Sequence, residues 1–281
     1  MSPSLRDARD ERGEVVAVDV LGGGMVEVSA RLPHLACTAL PGQFAQLRCG
    51  DGFSPLLRRP FSVAWTDDDV ASFVLAPVGA GTRILASLQP GDELAALGPL
   101  GKGFTVNTGA ERSLCVSGGL GCAPFPLLAR ALRRLGQEVT VVSGAASAAL
   151  LYPPGRFARG DPGVEVVEFT VDGSRGSRGL VTAGVPRDLD AATVVYACGP
   201  NPMLAALWRT LGEVTPGPAL AEVSLEAPMG CGFGTCLGCA LPVHSKQGAS
   251  HWALCCTDGP VMPIGSVAWD ELMQLPPAHV A

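Results

Sequence analysis

The sequence predicts a multidomain α+β fold, in which an antiparallel β-barrel, an α/β unit with a parallel sheet and a small C-terminal unit follow one another. Three observations lead to this fold class. Six short β-rich runs precede residue 100, strands alternate with helices after Gly109, and five of the ten cysteines fall between Cys231 and Cys256. The predicted boundaries of the three units are residues 1–108, 109–222 and 223–281.

The barrel prediction depends on β-rich runs that are separated by Gly and Pro. The runs are EVVAVDV, MVEVSARL, GQFAQLRC, RPFSVAW, ASFVLAPV and DELAALG. One helix is predicted between the last two runs, from Thr82 to Leu88. Ile84, Leu85 and Leu88 share one face of this helix, and the following Pro90-Gly91 pair ends it.

The second unit combines apolar strands with amphipathic helices. The runs RSLCVSGG, EVTVVSGAA, VEVVEFTV and ATVVYACGP are strand-like, and PFPLLARALRRLG and PMLAALWRTLG are helical. Continuous apolar strands joined by such helices indicate a parallel sheet that is covered on both faces. This architecture is typical of nucleotide-binding proteins.

Composition and charge exclude several classes of function. Hydrophobic residues make up 47% of the chain and charged residues 16%, which indicates a packed globular protein. The net charge is -6 and no run of Lys or Arg occurs, so nucleic acid and anionic lipid are excluded as main partners. The charged N-terminus MSPSLRDARDERGE lacks the apolar region of a secretory signal. We therefore expect a cytoplasmic protein without a membrane span.

The strongest chemical signal is a cysteine motif in the third unit. Cys231, Cys236 and Cys239 have C-x4-C-x2-C spacing, and Cys255 and Cys256 follow 16 and 17 positions after Cys239. This is the ligand order of a plant-type [2Fe–2S] cluster. The glycines between the cysteines let backbone amides point at the sulfurs. A tetrahedral zinc site is the alternative, although zinc sites more often use two C-x2-C pairs. Spacing alone does not choose between Cys255 and Cys256.

Two segments of the barrel carry groups that suit a flavin dinucleotide. The run RRPFSV places a guanidinium and a hydroxyl on one strand, and the guanidinium matches a phosphate. The run PVGAGT opens the predicted helix, whose N-terminal amides suit a phosphate and whose Thr82 can cap it. An exposed strand end and simple capping would explain the two runs separately. The predicted cofactor contacts are Arg59, Pro60, Phe61, Ser62, Leu75, Ala76, Pro77, Gly81 and Thr82.

Two segments of the second unit suit a nicotinamide cofactor. A Gly-rich turn, GGLGCAP, follows the first strand, where open α/β sheets bind phosphates, although it matches G-x-G-x-x-G imperfectly. A tight βα turn is the alternative reading. Cys198, at the end of a later strand, either borders the nicotinamide or is a buried structural cysteine. No basic residue lies between the strand VTVVSGAAS and Arg156, which favours NAD over NADP. The predicted contacts are Gly118, Gly119, Gly121, Cys198, Gly199 and Pro200.

With its motifs in this order, the chain resembles the ferredoxin–NADP reductase superfamily over nearly its whole length. More narrowly, the runs RRPFSV, GAGT, GPLGKGF, GGLGCAP, ACGPNPML, SLEAPMGCGFGTCLGC and CCTDGPVM are similar to electron-transfer subunits of NAD-linked (class 1B) dihydroorotate dehydrogenase. The resemblance implies that FAD is held by Arg59 to Ser62 and by Gly81 and Thr82. It also implies that Cys256 is the fourth cluster ligand, because the family cysteine stands one residue before an acidic-Gly-Pro sequence. Cys255 is then an extra neighbour.

The resemblance further implies a function in pyrimidine biosynthesis. Electrons from the FMN of a separate dihydroorotate dehydrogenase subunit would pass through [2Fe–2S] and FAD to NAD+, in a heterotetramer, without a catalytic side chain in this chain. The second interpretation is a FAD/[2Fe–2S] subunit of an NADH-dependent ferredoxin:NADP oxidoreductase, a hydrogenase or a sulfide dehydrogenase. A third, from another class, is a zinc-stabilised binding module without a redox role.

Overall fold

A computed structural model of the protein describes residues 7–50, 54–245 and 248–275. The sequence predicts that the N-terminal segment is not a secretory signal. Residues 1–6 of that segment lie outside the described residues. No helix in the described part of the chain has the length and apolar character needed to span a bilayer.

Six antiparallel strands close into a barrel in the order β1-β2-β5-β4-β3-β6 once they are numbered along the chain. Val28, Phe73 and Leu94 are among the buried side chains that fill its interior. The predicted six-stranded antiparallel barrel is therefore confirmed, because each β-rich run supplies one strand. The strands are β1 (Arg9–Val20), β2 (Val26–Arg31), β3 (Phe44–Leu47), β4 (Arg59–Asp67), β5 (Val70–Leu75) and β6 (Glu93–Leu100).

Two short helices lie between the barrel strands, where the sequence predicts one. Helix α1 (Pro33–Thr38) is only six residues long, too short to show a helical period in the sequence. Helix α2 (Ala80–Ala86) begins and ends two residues before the predicted Thr82 to Leu88. The helix begins earlier because Thr82 lies within its first turn and is not the residue that precedes the helix. The Thr82 hydroxyl oxygen accepts a hydrogen bond from the N–H of Gly79, the N-cap residue, at 2.8 Å. The predicted helix is thus correct in kind and wrong in its bounds.

The second unit contains a parallel sheet flanked by helices. Its strands pair in the order β10-β9-β8-β7-β11-β12, and each of these pairings is parallel. The predicted parallel sheet is confirmed. The elements are β7 (Arg112–Gly118), α3 (Phe125–Arg134), β8 (Glu138–Ala145), α4 (Pro154–Ala158), β9 (Val164–Thr170), β10 (Ser177–Arg178), β11 (Thr193–Cys198), α5 (Asn201–Gly212) and β12 (Leu220–Ser224).

The C-terminal segment is joined to this sheet. Strands β13 (Ala240–His244) and β14 (Ser250–Leu254) form an antiparallel hairpin, and β15 (Val261–Pro263) adds an antiparallel edge strand beside β12. A last helix, α6 (Trp269–Leu272), follows. Strand β12 spans the predicted boundary between residues 222 and 223, and the three domain boundaries stay a prediction. The segment shares one hydrophobic core with the parallel sheet.

A buried ion pair connects the barrel to the helices of the second unit. Glu27 of β2 is 2% exposed, and both of its carboxylate oxygens accept hydrogen bonds from Arg159, at 2.7 and 2.8 Å. The guanidinium groups of Arg130 and Arg159 lie over the ring of Trp65, 4.2 and 4.7 Å from its centroid. Arg130 also donates to the backbone carbonyl of Thr66. These contacts hold the two units in one relative orientation.

Replacing Arg159 by Met should lower the free energy of unfolding by about 3 kcal/mol, because the substitution leaves the Glu27 carboxylate buried with only the longer contact to Arg156. Urea unfolding followed by circular dichroism measures the change. The matched control is Arg187→Met, whose partner Glu213 is exposed, and there we expect less than about 1 kcal/mol. Equal effects of the two substitutions would contradict a stabilising interface.

Candidate functional site

The cysteine motif lies on an irregular loop between β12 and β13. Gly232 and Gly234 have φ angles of +83° and +86°, in the left-handed region that favours glycine. A Cβ atom on Gly232 would lie 2.6 Å from Cγ of Gln46 in the barrel. Glycine at this position therefore lets the loop turn tightly and pack directly on strand β3.

The four predicted ligands fall into two pairs. The sulfurs of Cys239 and Cys256 are 3.2 Å apart, and the N–H of Cys236 donates to the sulfur of Cys231 at 3.5 Å. Within the described residues, no group of three or more His, Cys, Asp or Glu side chains is arranged to hold a metal ion. Two separate pairs fit a two-iron cluster, in which each iron takes two thiolates, better than one tetrahedral zinc. The ligand set stays a prediction.

The structure separates the two adjacent cysteines, which spacing alone does not. The sulfur of Cys255 is fully buried and donates to the carbonyl of Leu225 at 3.5 Å, while that of Cys256 contacts Cys239. Burial raises the pKa of the Cys255 thiol, and contact with Cys239 raises the pKa of Cys256, so it is the position of the sulfurs that separates the two cysteines. This geometry favours Cys256 as the fourth ligand and Cys255 as a packed neighbour.

The environment of the loop favours thiolates at two ligand positions. Burial raises the pKa of Cys231, but the backbone N–H groups of Cys236, Phe233 and Thr235 outweigh it and bring this pKa to about 7. Contact with Cys256 lowers the pKa of Cys239 to about 6, against the effect of burial, and the same contact raises the pKa of Cys256, so the two thiols share one proton. Since thiolates are the metal-binding form of cysteine, these shifts suit an iron–sulfur centre.

The two predicted flavin segments lie side by side on the barrel. A Cβ atom on Gly81 would lie 3.4 Å from Cγ of Arg59 and 2.9 Å from the sulfur of Cys49, so the start of α2 packs against β4. Within the described residues, the Arg59 guanidinium donates only to the backbone carbonyls of Leu57 and Arg58. The Arg59 charge thus lies beside the first turn of α2, where helix N–H groups lack intrahelical partners. This arrangement fits a phosphate group.

The other predicted flavin contacts differ in whether their side chains are exposed or buried in the barrel. Pro60 and Ser62 alternate with Phe61 along β4, and Phe61 packs against the barrel core. Leu75 lies inside that core, so only its backbone can face a ligand, whereas Ala76 and Pro77 follow the strand and are partly exposed. Contact of these residues with FAD stays a prediction.

The two predicted nicotinamide segments also meet. A Cβ atom on Gly121 would lie 2.2 Å from the carbonyl oxygen of Cys198, so the Gly-rich turn packs on the end of β11. Gly118 packs as closely on Met203 of α5. Cys198 is buried, and burial raises the pKa of its thiol. The Gly-rich turn is therefore a tight βα turn, as the alternative interpretation predicts. It also lies at the carboxyl end of the sheet strands, where the nicotinamide prediction places it. The remaining predicted contacts, Gly119, Gly199 and Pro200, lie in the same two segments.

Two polar atoms at this edge belong to residues that the sequence analysis does not name as cofactor contacts. The hydroxyl of Ser117, at the end of β7, and the Oδ1 atom of Asn201, at the start of α5, are buried without hydrogen-bond partners in the described part of the chain. Native buried polar groups are nearly always paired, so these atoms fit a bound ligand. Ser117 directly precedes the Gly-rich turn and Asn201 directly follows Pro200 within the run ACGPNPML, and these positions are the signal in the sequence that could have found them.

Comparison with protein families gives one match in the C-terminal segment. Residues 226–268 match the family described as the iron–sulfur cluster binding domain of dihydroorotate dehydrogenase B. The matched segment contains the three cysteines of the cluster loop, Cys255 and Cys256, and the strands β13 to β15.

Relatives of the whole chain share one description, "Dihydroorotate dehydrogenase B (NAD(+)), electron transfer subunit". The protein from Desulforamulus reducens is 36% identical, with 92% of this chain and 97% of the relative covered. That from Shouchella clausii is 39% identical over 81% of this chain and 86% of the relative. The protein from Lysinibacillus sphaericus is 34% identical over 92% of this chain and 99% of the relative.

Solved structures share the fold. A structure described as an NADH-dependent reduced ferredoxin-NADP oxidoreductase superposes with a TM-score of 0.79 and 26% identity, over 93% of this chain and 91% of that one. A ferredoxin reductase in carbazole 1,9a-dioxygenase gives a TM-score of 0.62 and 26% identity, over 73% of this chain and 66% of the other.

Replacing Cys256 by Ala should abolish most iron binding, because the change removes one sulfur of the Cys239 pair. The matched control is Cys255→Ala, which should leave the iron content unchanged because that sulfur faces Leu225. Iron and acid-labile sulfide assays on the purified protein measure the difference. Loss of iron from the Cys255 variant alone would show that the ligand assignment is reversed.

Proposed function

Since the chain belongs to the family of electron transfer subunits of dihydroorotate dehydrogenase B (NAD(+)), we propose that it carries electrons from a separate catalytic subunit to NAD+. It is an oxidoreductase subunit that uses a [2Fe–2S] cluster and FAD, and it serves pyrimidine biosynthesis. The observation that carries the proposal is the contact of the cluster loop with barrel strand β3, which pairs with the flavin-site strand β4.

The residues of this chain bind and position the cofactors. A flavin exchanges single electrons with an iron–sulfur centre and a hydride with NAD, and this chemistry belongs to the cofactors. Arg59 and the first turn of α2 hold the FAD pyrophosphate, and the four cluster thiolates hold the two irons. The Gly-rich turn after β7 admits the phosphates of NAD, with Ser117 and Asn201 pairing to the same cofactor.

Exposed apolar side chains on the cluster loop and on strand β14, which leads to Cys255 and Cys256, provide a surface for the catalytic subunit. Leu237 and Trp252 are 63% and 61% exposed, and Phe233 is also exposed. The side chain of Cys236 lies at the surface beside them. Apolar side chains grouped around a redox centre suit a protein interface. Docking there would bring the FMN of the catalytic subunit close to the cluster.

A heterotetramer and a cytoplasmic location stay predictions.

A second candidate function is that of a subunit in an NADH-dependent ferredoxin-NADP oxidoreductase. The superposition over 93% of the chain with a TM-score of 0.79 favours it, because the same three-part fold serves there. The two candidates differ in the catalytic partner, not in the cofactors that this chain binds.

Co-expression with the dihydroorotate dehydrogenase catalytic subunit of the same organism tests the proposal. We expect dihydroorotate-dependent reduction of NAD+ only when both proteins are present, measured as NADH absorbance. A chain that carries flavin and cluster but neither binds that subunit nor supports the reaction would contradict the proposal and favour the second candidate.

Replacing Trp252 by Ala should weaken binding of the catalytic subunit about thirtyfold, near 2 kcal/mol, because an exposed Trp on the strand that leads to Cys255 and Cys256 is a typical interface anchor. Flavin and iron content should not change, since the side chain lies outside the core. Titration calorimetry measures the affinity. The control is Leu135→Ala, an exposed apolar residue after α3 that should leave affinity unchanged. Equal affinities of both variants would place the interface elsewhere.

A further inference from the structure

One buried polar side chain in the barrel lacks the hydrogen bonds that such groups normally make. Gln46 of β3 is 0% exposed, and both polar atoms of its amide lack a hydrogen-bond partner among the described residues. Other buried glutamines are paired. Gln43 accepts from the N–H of Leu40 at 2.9 Å and donates to the carbonyl of Gly101 at 2.8 Å. A fully buried and unpaired amide points to a missing partner.

The position of Gln46 indicates which group could be the missing hydrogen-bond partner. A Cβ atom on Gly232 would lie 2.7 Å from Nε2 of Gln46, so the amide nitrogen packs directly on the residue that follows Cys231. On the other side, Gln46 pairs with Pro60, within the candidate flavin segment of β4. The Gln46 amide thus contacts the cluster loop, while its backbone belongs to the strand that pairs with the flavin strand.

The chemistry of the amide favours the cluster. Thiolates and inorganic sulfides present only hydrogen-bond acceptors, and Nε2, a donor, is the amide atom nearest to Gly232. Hydrogen bonds to the sulfurs are among the factors that set the reduction potential of an iron–sulfur cluster. Because reduction adds one negative charge, an N–H dipole directed at a sulfur stabilises the reduced state more than the oxidised one.

We propose that Gln46 is a positioning residue that donates a hydrogen bond from Nε2 to the sulfur shell of the cluster beside Cys231 and thereby raises the reduction potential of the cluster. This inference rests on the proposed function, because it requires the cluster. It assigns to strand β3 of the barrel a part in tuning the neighbouring redox centre.

Redox titration of the purified holo-subunit, with the cluster followed by electron paramagnetic resonance and the flavin by absorbance, tests this inference. Gln46→Leu and the unbranched Gln46→Met both remove the donor. Each should lower the equilibrium constant for cluster reduction about tenfold, which corresponds to about 59 mV for one electron. The control Gln137→Leu removes a buried glutamine of the parallel sheet that pairs with Ser113, and it should leave the cluster potential unchanged.

An unchanged cluster potential in either variant that keeps its cluster would overturn the inference, and so would a shift confined to the flavin. If both variants lose the cluster, the wild-type protein labelled with 15N in its glutamine side chains decides. Pulsed resonance on the reduced cluster should show coupling to a side-chain 15N, and its absence would overturn the inference. A wild-type chain without any cluster signal would instead contradict the proposed function.

Discussion

The antiparallel pairing of β15 with β12 is the interaction on which the rest of the arrangement depends. It ties the cysteine-rich segment to the parallel sheet through the pairs Glu222–Pro263, Val223–Met262 and Ser224–Val261. Since this segment has few long elements of its own, the shared core with the sheet supplies the packing that it lacks. The cluster loop is thereby fixed against the barrel, where Gly232 meets strand β3.

The relative placement of the candidate sites matters because a flavin must exchange electrons with both other centres. The loop glycine Gly232 packs on β3, and β3 pairs with the flavin-site strand β4. The Gly-rich turn after β7 packs on the end of β11, which neighbours β12. The ion pair between Glu27 and Arg159 holds the barrel in its orientation to the sheet. Fixed relative positions of this kind, rather than side-chain acids and bases, are what electron transfer requires of the protein.

Much of this organisation could be predicted from the sequence, because it depends on local patterns. All six barrel strands and the parallel sheet follow from apolar runs punctuated by Gly and Pro, and the spacing of the cysteines predicts three of the candidate ligands but does not choose between Cys255 and Cys256. What could not be predicted depends on tertiary contacts. Helix α1 and strand β15 are too short to show a period. The roles of Ser117, Asn201 and Gln46 are visible only when burial leaves their polar atoms unpaired.

The central claim is that this chain binds one FAD and one two-iron cluster on adjacent surfaces. Direct determination of flavin, iron and acid-labile sulfide in the protein purified under anaerobic conditions tests it most simply. The account predicts about one FAD, about two iron atoms and about two sulfides per chain. One zinc ion per chain, with neither flavin nor sulfide, would contradict it and leave a zinc-stabilised binding module in its place.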